Sequence, residues 1–201
     1  GLIYKGVRMV NWDSEAQTAV SDEEVLYKEI DSKLFHISYQ IENENEKVIV
    51  ATTRPETILG DTAICVNPKD KRYSNLVGKN VYVPLINRKI PIISDEYVDM
   101  EFGTGAVKIT PAHDFNDYEI GYRHKLETID ILNNDGTLNE KAKLFVGTER
   151  FKARELIVEE LKQNNHLVKI ENHKNKVGFS ERTNSIIAVS YTHLTLPTKN
   201  E

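Results

Sequence analysis

Short segments of alternating apolar and polar residues, broken every few positions by Gly, Pro, Asn or Asp, dominate this chain and restrict it to a β-rich architecture. From Leu34 to Ile41, the residues Phe35, Ile37, Tyr39 and Ile41 alternate with His36, Ser38 and Gln40, which is the period of a half-buried strand. Glu42–Lys47 reads as a polar turn and Val48–Thr52 as the hairpin partner. Further short strands are expected at Thr62–Val66, Asn80–Val83, Lys89–Ile93, Val98–Phe102 and Ala106–Thr110, a spacing that indicates a barrel or sandwich. The first 30 residues read as irregular strands and turns. Two helices are expected, one from near Asp114 to about Lys125 and one from about Glu149 to Gln163. In the second, Ala153, Ile157 and Leu161 recur at four-residue spacing, Thr148 is the expected N-cap, and Asn164-Asn165 the expected stop. The fold class is mainly β, a β-barrel core decorated with peripheral α-helices.

At 201 residues, 39% apolar and 28% charged, the chain has an ordinary globular composition and the length of one domain with appendages. No apolar run approaches the ~20 residues of a membrane helix, so no membrane partner is expected. Cys65 is the only cysteine, which excludes an internal disulfide and a four-thiolate zinc site and points to a reducing, cytoplasmic setting. Gly1 in place of Met, with no signal peptide after it, reads as an excised piece of a larger protein. The net charge of −5 argues against a long nucleic-acid footprint but allows a grip on one strand end. Lys169, Lys174, Lys176 and Arg182 make a locally basic stretch that reads as a solvated strand or loop.

Two segments carry chemistry. In Ala51-Thr52-Thr53-Arg54-Pro55-Glu56-Thr57, a buried strand runs into three hydroxyls and a guanidinium, and Pro55 ends the strand by removing a backbone donor. Such groups hold a carbonyl oxygen or a phosphate, and Arg54 suits a phosphate or a carboxylate. A capped turn, with threonines bonded to backbone and Arg54 paired with Glu56, is the plainer alternative. In the second segment, Phe102 to Asp117, glycines flank Thr104 and permit close backbone approach to a ligand. Alternation places Lys108 and Thr110 on one face. Pro111 ends the strand, and His113 and Asp114 sit at the mouth of a helix with Asp117 one turn inside. Asp114 and Asp117 resemble a capping box, and capping alone accounts for Asp114. Even so, two carboxylates beside a lysine and a threonine suit an ammonium group and a hydroxyl, the groups of an esterified amino acid.

Both segments, in this order and separation, resemble the editing domain of class I aminoacyl-tRNA synthetases, the valyl, isoleucyl and leucyl group, from Gly1 to about Ile187. Lys108-Ile109-Thr110-Pro111-Ala112-His113-Asp114-Phe115-Asn116-Asp117 and the Thr52–Thr57 motif are of the valyl type, supported by Asn11-Trp12-Asp13, Thr18-Ala19-Val20-Ser21-Asp22 and Asn87-Arg88-Lys89-Ile90-Pro91-Ile92. The resemblance implies a closed β-barrel inserted in a catalytic domain, which receives the 3′ end of misacylated tRNA and hydrolyses the ester. For a valyl enzyme the misattached residue is threonine. Threonine and valine are nearly isosteric, so an apolar pocket rejects the hydroxyl weakly; this synthetase is the usual illustration of that limit. A second site that pairs with the hydroxyl hydrolyses Thr-tRNA and spares Val-tRNA.

By residue, the resemblance implies that Asp117 holds the α-ammonium and Asp114 the threonine hydroxyl. Thr52, Thr53 and Thr110 position ester and water, while Lys108 and Arg54 hold the carbonyl region or the terminal ribose and phosphate. Glu56, Thr57 and His113 are expected at the substrate too. Phe102 is expected to stack on the terminal adenine. No residue is an obvious general base. Water attack is expected to rely on positioning and a ribose hydroxyl, with His113 as the reserve base. No cofactor or metal is expected, since no second histidine lies at ligand spacing. Residues 1–32 and 166–187 are expected to be strands out of and back into the parent domain, with the barrel domain at 33–165. The stretch 188–201 departs from the family and reads as a foreign tail. The competing readings are an isoleucyl- or leucyl-type editing domain and a tRNA 3′-end binding module without hydrolysis.

Overall fold

The strand alternation begins well before Leu34. A computed structural model, which describes residues 3–197 and the side chains of residues 9–189, opens with β1 (Ile3–Asp13), β2 (Thr18–Val20) and the 17-residue β3 (Val25–Ile41). Regular strands thus replace the irregular segment expected for the first 30 residues. β1 and β3 also take partners far along the chain, where no local pattern announces them. β4 (Lys47–Thr52), β5 (Ala63–Val66), β6 (Asn80–Val83), β7 (Arg88–Ser94) and β8 (Ala106–Ile109) follow close to the expected positions. The helices are α1 (Phe115–Arg123) and α2 (Arg150–Gln163), and the chain returns through β9 (Leu167–Ser180) and β10 (Ala188–Pro197). Residues 198–201 of the stretch read as a foreign tail, and the side chains of 190–201, lie outside the described residues.

The main sheet has the order β4-β3-β6-β7-β5-β8, with β9 also pairing β3. Among the described strands, only β5 and β7 run parallel, with Ile64 opposite Ile92. The end strands β4 and β8 lie side by side, so the sheet curls toward a barrel. Thr104 fastens that seam by donating its hydroxyl to the Ile49 carbonyl at 2.6 Å. Inside, Ile37, Tyr39, Ile41, Val48 and Val50 from the first hairpin pack with Ala153, Ile157 and Leu161 of α2. The four-residue stripe expected of that helix is therefore its buried face. Its N-cap is Glu149, which accepts from the amides of Phe151 and Lys152, rather than Thr148.

Val98–Phe102 is not a strand. Asp95 and Asp99 accept hydrogen bonds from the backbone N–H of Tyr97 (3.0 Å) and Glu101 (2.9 Å), and these aspartate-capped turns outcompete strand pairing.

A two-stranded ribbon of β3 and β9 leaves the barrel, paired from Val25↔Ser180 to Ile37↔Leu167 with one irregularity after His36. β3 is continuous through Ser32 and Lys33. A smaller sheet has the order β10-β1-β2. The buried Asp13 ties the outgoing and returning chain together by accepting from the hydroxyls of Thr183 (2.7 Å) and Ser185 (3.1 Å). Burial opposes its ionisation, but these hydroxyls, Ser180 and the Ala16 amide hold its carboxyl at about 2.

Helix α1 is seated by close packing of Gly121 on Pro111. A Cβ at Gly121 would lie 2.7 Å from the Pro111 ring, which cannot swing aside. Gly121→Ala is therefore expected to cost about 1–3 kcal/mol, read as a lower unfolding midpoint in denaturant at unchanged slope.

Candidate active site

The two chemistry-bearing segments meet. β4 ends at Thr52, and Pro55 begins a 3-10 turn over Pro55–Gly60. The Arg54 guanidinium donates from Nη1 to the His113 carbonyl at 2.7 Å, which joins the strand end to the mouth of α1. Between them opens a cavity of about 440 Å³. Thr52, Thr53, Arg54 and Thr57 line one side; Lys108, Thr110, His113, Asp114 and Asp117 line the other; Phe102 stands at the rim, half exposed.

The turn-capping alternative also holds in part. The Thr52 hydroxyl accepts from the Arg54 amide at 3.1 Å, and Thr57 donates to the Arg54 carbonyl at 3.0 Å. Thr53 makes no such bond. Glu56 departs from expectation. Successive residues of a 3-10 turn point about 120° apart, and Glu56 points away from the cavity toward α2. There its carboxylate, 2% exposed, takes two hydrogen bonds of 2.8 Å from Arg154, with Arg54 at 3.6 Å. Burial would raise its carboxyl, but Arg154, helped by Arg54, holds it below the ordinary value. Glu56 is a strut between motif and helix.

Lys108 and Thr110 share a face, as alternation requires, and both turn to a residue that no motif singled out. Asp61, completely buried, accepts from Lys108 Nζ at 3.0 Å, the Thr110 hydroxyl at 2.6 Å and the Tyr39 hydroxyl at 2.6 Å. Lys108 also donates to Thr110. Burial pushes the Asp61 carboxyl up, while Lys108 and the two hydroxyls pull it back. The one local signal is an acid at the end of the Pro55–Gly60 turn, two residues before the fully apolar β5.

At the helix mouth, Asp114 is the N-cap. Its Oδ1 accepts from the amides of Asn116 (2.9 Å) and Asp117 (3.2 Å), so Oδ2 is not consumed by capping. Asp117 does not close a capping box; its Oδ2 instead accepts from the Thr110 amide at 2.8 Å. Burial first, and then the nearby Asp114, raises the Asp117 carboxyl to about 7. A half-buried acid beside a second carboxylate is short of positive charge, and a bound cation would relieve it.

His113 is not a base. It is 1% exposed, its Nε2 accepts from the Ile131 amide at 3.1 Å, and burial, with Arg54 and Lys108 nearby, lowers it to about 3. The Cys65 thiol is buried and pushed up to about 12, which removes it as a nucleophile. Among the described residues, no three His, Cys, Asp or Glu side chains are grouped to hold a metal ion.

The glycines beside Thr104 serve packing, not ligand approach. A Cβ at Gly103 would lie 2.9 Å from that of Ala51, and one at Gly105 would meet Arg72, Asp70 and Met100. Leu34, Tyr97, His173 and Asn175 also line the cavity. The last two come from β9, far downstream, with no motif around them.

This curled sheet with its cavity between a strand end and a helix mouth is an aminoacyl-tRNA synthetase architecture. It superposes on part of the LeuRS of Agrobacterium radiobacter K84 agnB2, solved in a ternary complex with tRNA and LeuAMS, with a TM-score of 0.56 at 17% identity over 87% of this chain and 30% of that one. The chain belongs to the family described as leucyl-tRNA synthetase, editing domain, which matches residues 70–177 and so takes in the Lys108–Asp117 segment. It is also similar to valine–tRNA ligases. The identity is 59% to that of Parabacteroides distasonis over 92% of this chain, 58% to that of Porphyromonas gingivalis over 91%, and 56% to that of Lactococcus lactis over 93%. The chain spans about a fifth of their length, 21% in each case.

Two stability tests follow from these groups. Asp61→Ala leaves the Lys108 ammonium buried without its carboxylate and is expected to cost about 3–5 kcal/mol in denaturant unfolding. For Asp117, the folded value of about 7 lies above the ordinary 3.8. The folded state therefore binds the extra proton between these values, and stability falls as pH rises through that window. Asp117→Asn is expected to raise the thermal midpoint at pH 8 and leave it nearly unchanged at pH 3.5. An equal shift at both pH values would contradict this.

Proposed function

We propose that this domain hydrolyses the ester of misacylated tRNA, and that its substrate is threonine carried on the 3′ end of a valine tRNA. The observation that carries the reading is the single cavity that the Thr52–Arg54 strand end and the Asp114–Asp117 helix mouth share across the Arg54–His113 bond. In the reaction, water adds to the ester carbonyl carbon and the bond from that carbon to the ribose oxygen breaks. The ribose oxygen leaves as a hydroxyl after taking a proton, giving free amino acid and tRNA.

Each residue then has a physical task. The α-ammonium group supplies the charge that Asp117 lacks and draws the carboxyl into its ionised form. The free oxygen of Asp114 takes the threonine hydroxyl. Lys108, Thr52 and Thr53 face the ester, and oriented donors of this kind stabilise the oxyanion that forms. With His113 neutral and engaged, no side chain in the cavity is set to remove a proton from water. Rate then comes from positioning and from the substrate's own ribose hydroxyl. Valine in this site would leave Asp114 desolvated without a partner, so correctly charged tRNA is spared.

The similarity to valine–tRNA ligases favours threonine as the amino acid and a longer synthetase as the covalent partner, with residues 1–32 and 166–187 joining the two. No described helix is long and apolar enough to cross a membrane. The similarity to valine–tRNA ligases favours a place in the cytoplasm with the translation machinery. The family match carries a leucyl name, which makes isoleucyl- or leucyl-type editing the second reading.

Hydrolysis of tRNAs charged with Thr, Val and Leu separates these readings. The expected result is release of threonine only, reduced roughly 10²–10³-fold in Asp117→Ala. KM should rise as pH falls below about 7, where Asp117 takes up its proton. Preference for Leu-tRNA would move the assignment to the leucyl type, and undiminished turnover by Asp117→Ala would remove that residue from the site.

A further inference from the structure

The turn that follows β7 has no task in the chemistry above. Asp95 organises it with both carboxylate oxygens. Oδ1 accepts from the Tyr97 amide at 3.0 Å, while Oδ2 accepts from Arg123 Nη2 at 2.9 Å and meets His124 Nε2 at 3.0 Å. The Val98 amide closes the turn on the Asp95 carbonyl at 3.3 Å. Arg123 is the last residue of α1 and His124 its C-cap. The Tyr97 backbone is thus tied to the far end of the helix whose mouth carries Asp114 and Asp117. Burial opposes ionisation of Asp95, but the Tyr97 amide, Arg123 and His124 hold its carboxyl below the ordinary value, so the tie stands at neutral pH. The Tyr97 side chain, by contrast, is unspent. It lines the cavity together with Asp114 and Asp117, is 55% exposed, and makes no side-chain hydrogen bond among the described residues. Burial, and then Asp114 and Asp117, raise its phenol above the ordinary value. The ring therefore stays neutral, within the field of both acids.

On the reading given under Proposed function, the geometry points to Tyr97 as a specificity-determining residue. Its ring is the aromatic wall against which the α-ammonium held by Asp117 rests, so the site favours esters whose amine is free over those whose nitrogen is acylated. A carboxylate alone is an incomplete filter for that distinction, because an acylated nitrogen still has one N–H to donate. An aromatic face adds what the acids lack. It attracts a full positive charge and gains nothing comparable from a neutral amide. The attraction grows as water is excluded, and a cavity wall beside two acids supplies that setting. Asp95 makes the arrangement stiff: wall and acids are fastened to opposite ends of one short helix, so their spacing is set before a ligand enters.

The test compares two non-hydrolysable probes by calorimetry: adenosine carrying threonine through a 3′-amide, and the same molecule with hydrogen in place of the α-ammonium. The unaltered protein is expected to prefer the ammonium probe. Tyr97→Leu should weaken that probe about 3–10-fold and leave the other unchanged. Tyr97→Phe keeps the π face and should bind both as the unaltered protein does. In deacylation of Thr-tRNA, Tyr97→Leu should raise KM by the same factor with kcat preserved, and the advantage of Thr-tRNA over N-acetyl-Thr-tRNA should narrow to match. An equal loss of both probes in Tyr97→Leu would mark a merely structural role and overturn the inference. So would undiminished binding of the ammonium probe by Tyr97→Leu, or the same loss in Tyr97→Phe. Probe binding requires no turnover, so absence of hydrolysis with the probe pattern intact would count against the deacylase reading alone. Failure of the unaltered protein to bind either probe would remove both.

Discussion

A carboxylate sealed from water organises the inner end of this domain. Asp61 has three donors around it, from β3 (Tyr39), β8 (Lys108) and the residue after β8 (Thr110). An unpaired ionised acid in that position would be prohibitively costly, so the three partners are obligatory. The consequence is geometric. Lys108 cannot adopt the rotamers open to a surface lysine, and Thr110 must turn its hydroxyl inward while its amide meets Asp117. One buried charge thereby sets the side chains on both flanks of the helix mouth.

The cavity carries charge of both signs. Arg54 and Lys108 line it, and burial, with their charge, keeps His113 neutral. Asp114 and Asp117 line it too, and burial, with Asp114 nearby, makes Asp117 resist ionisation. A ligand with both an ammonium group and electron-rich oxygens complements this lining. The polarity resides in residues already fixed by backbone bonds, namely a cap, a strand amide and a carbonyl. Little reorganisation is then needed when a ligand enters, which is the general condition for strong electrostatic stabilisation.

Much of this was legible in the sequence, because the relevant signals are local. Alternation from Phe35 to Ile41 and the Ala153, Ile157, Leu161 stripe record burial directly. The two motifs mark the lining of one cavity, because Pro55 and Pro111 end strands where polar groups cluster. The remainder depends on residues that become neighbours only through topology. His173 and Asn175 reach the cavity because β9 pairs with β3, and nothing near them in the chain reports that pairing. Asp61 looked like one acid among many until its three partners converged. The turn at Val98–Phe102 was misread because its apolar residues suit a strand, while Asp95 and Asp99 supply a competing local bond.

Glu56 shows how a motif can mislead. It sits between Pro55 and Thr57 in the chain, yet it braces α2 through Arg154 while its neighbours Arg54 and Thr57 look into the cavity. A loss of function on replacing Glu56 would therefore report a failure of assembly, whereas the same phenotype at Thr53 would report on turnover. Adjacent letters of one signature thus answer different experimental questions, and soluble yield must be measured beside activity to tell which has been asked.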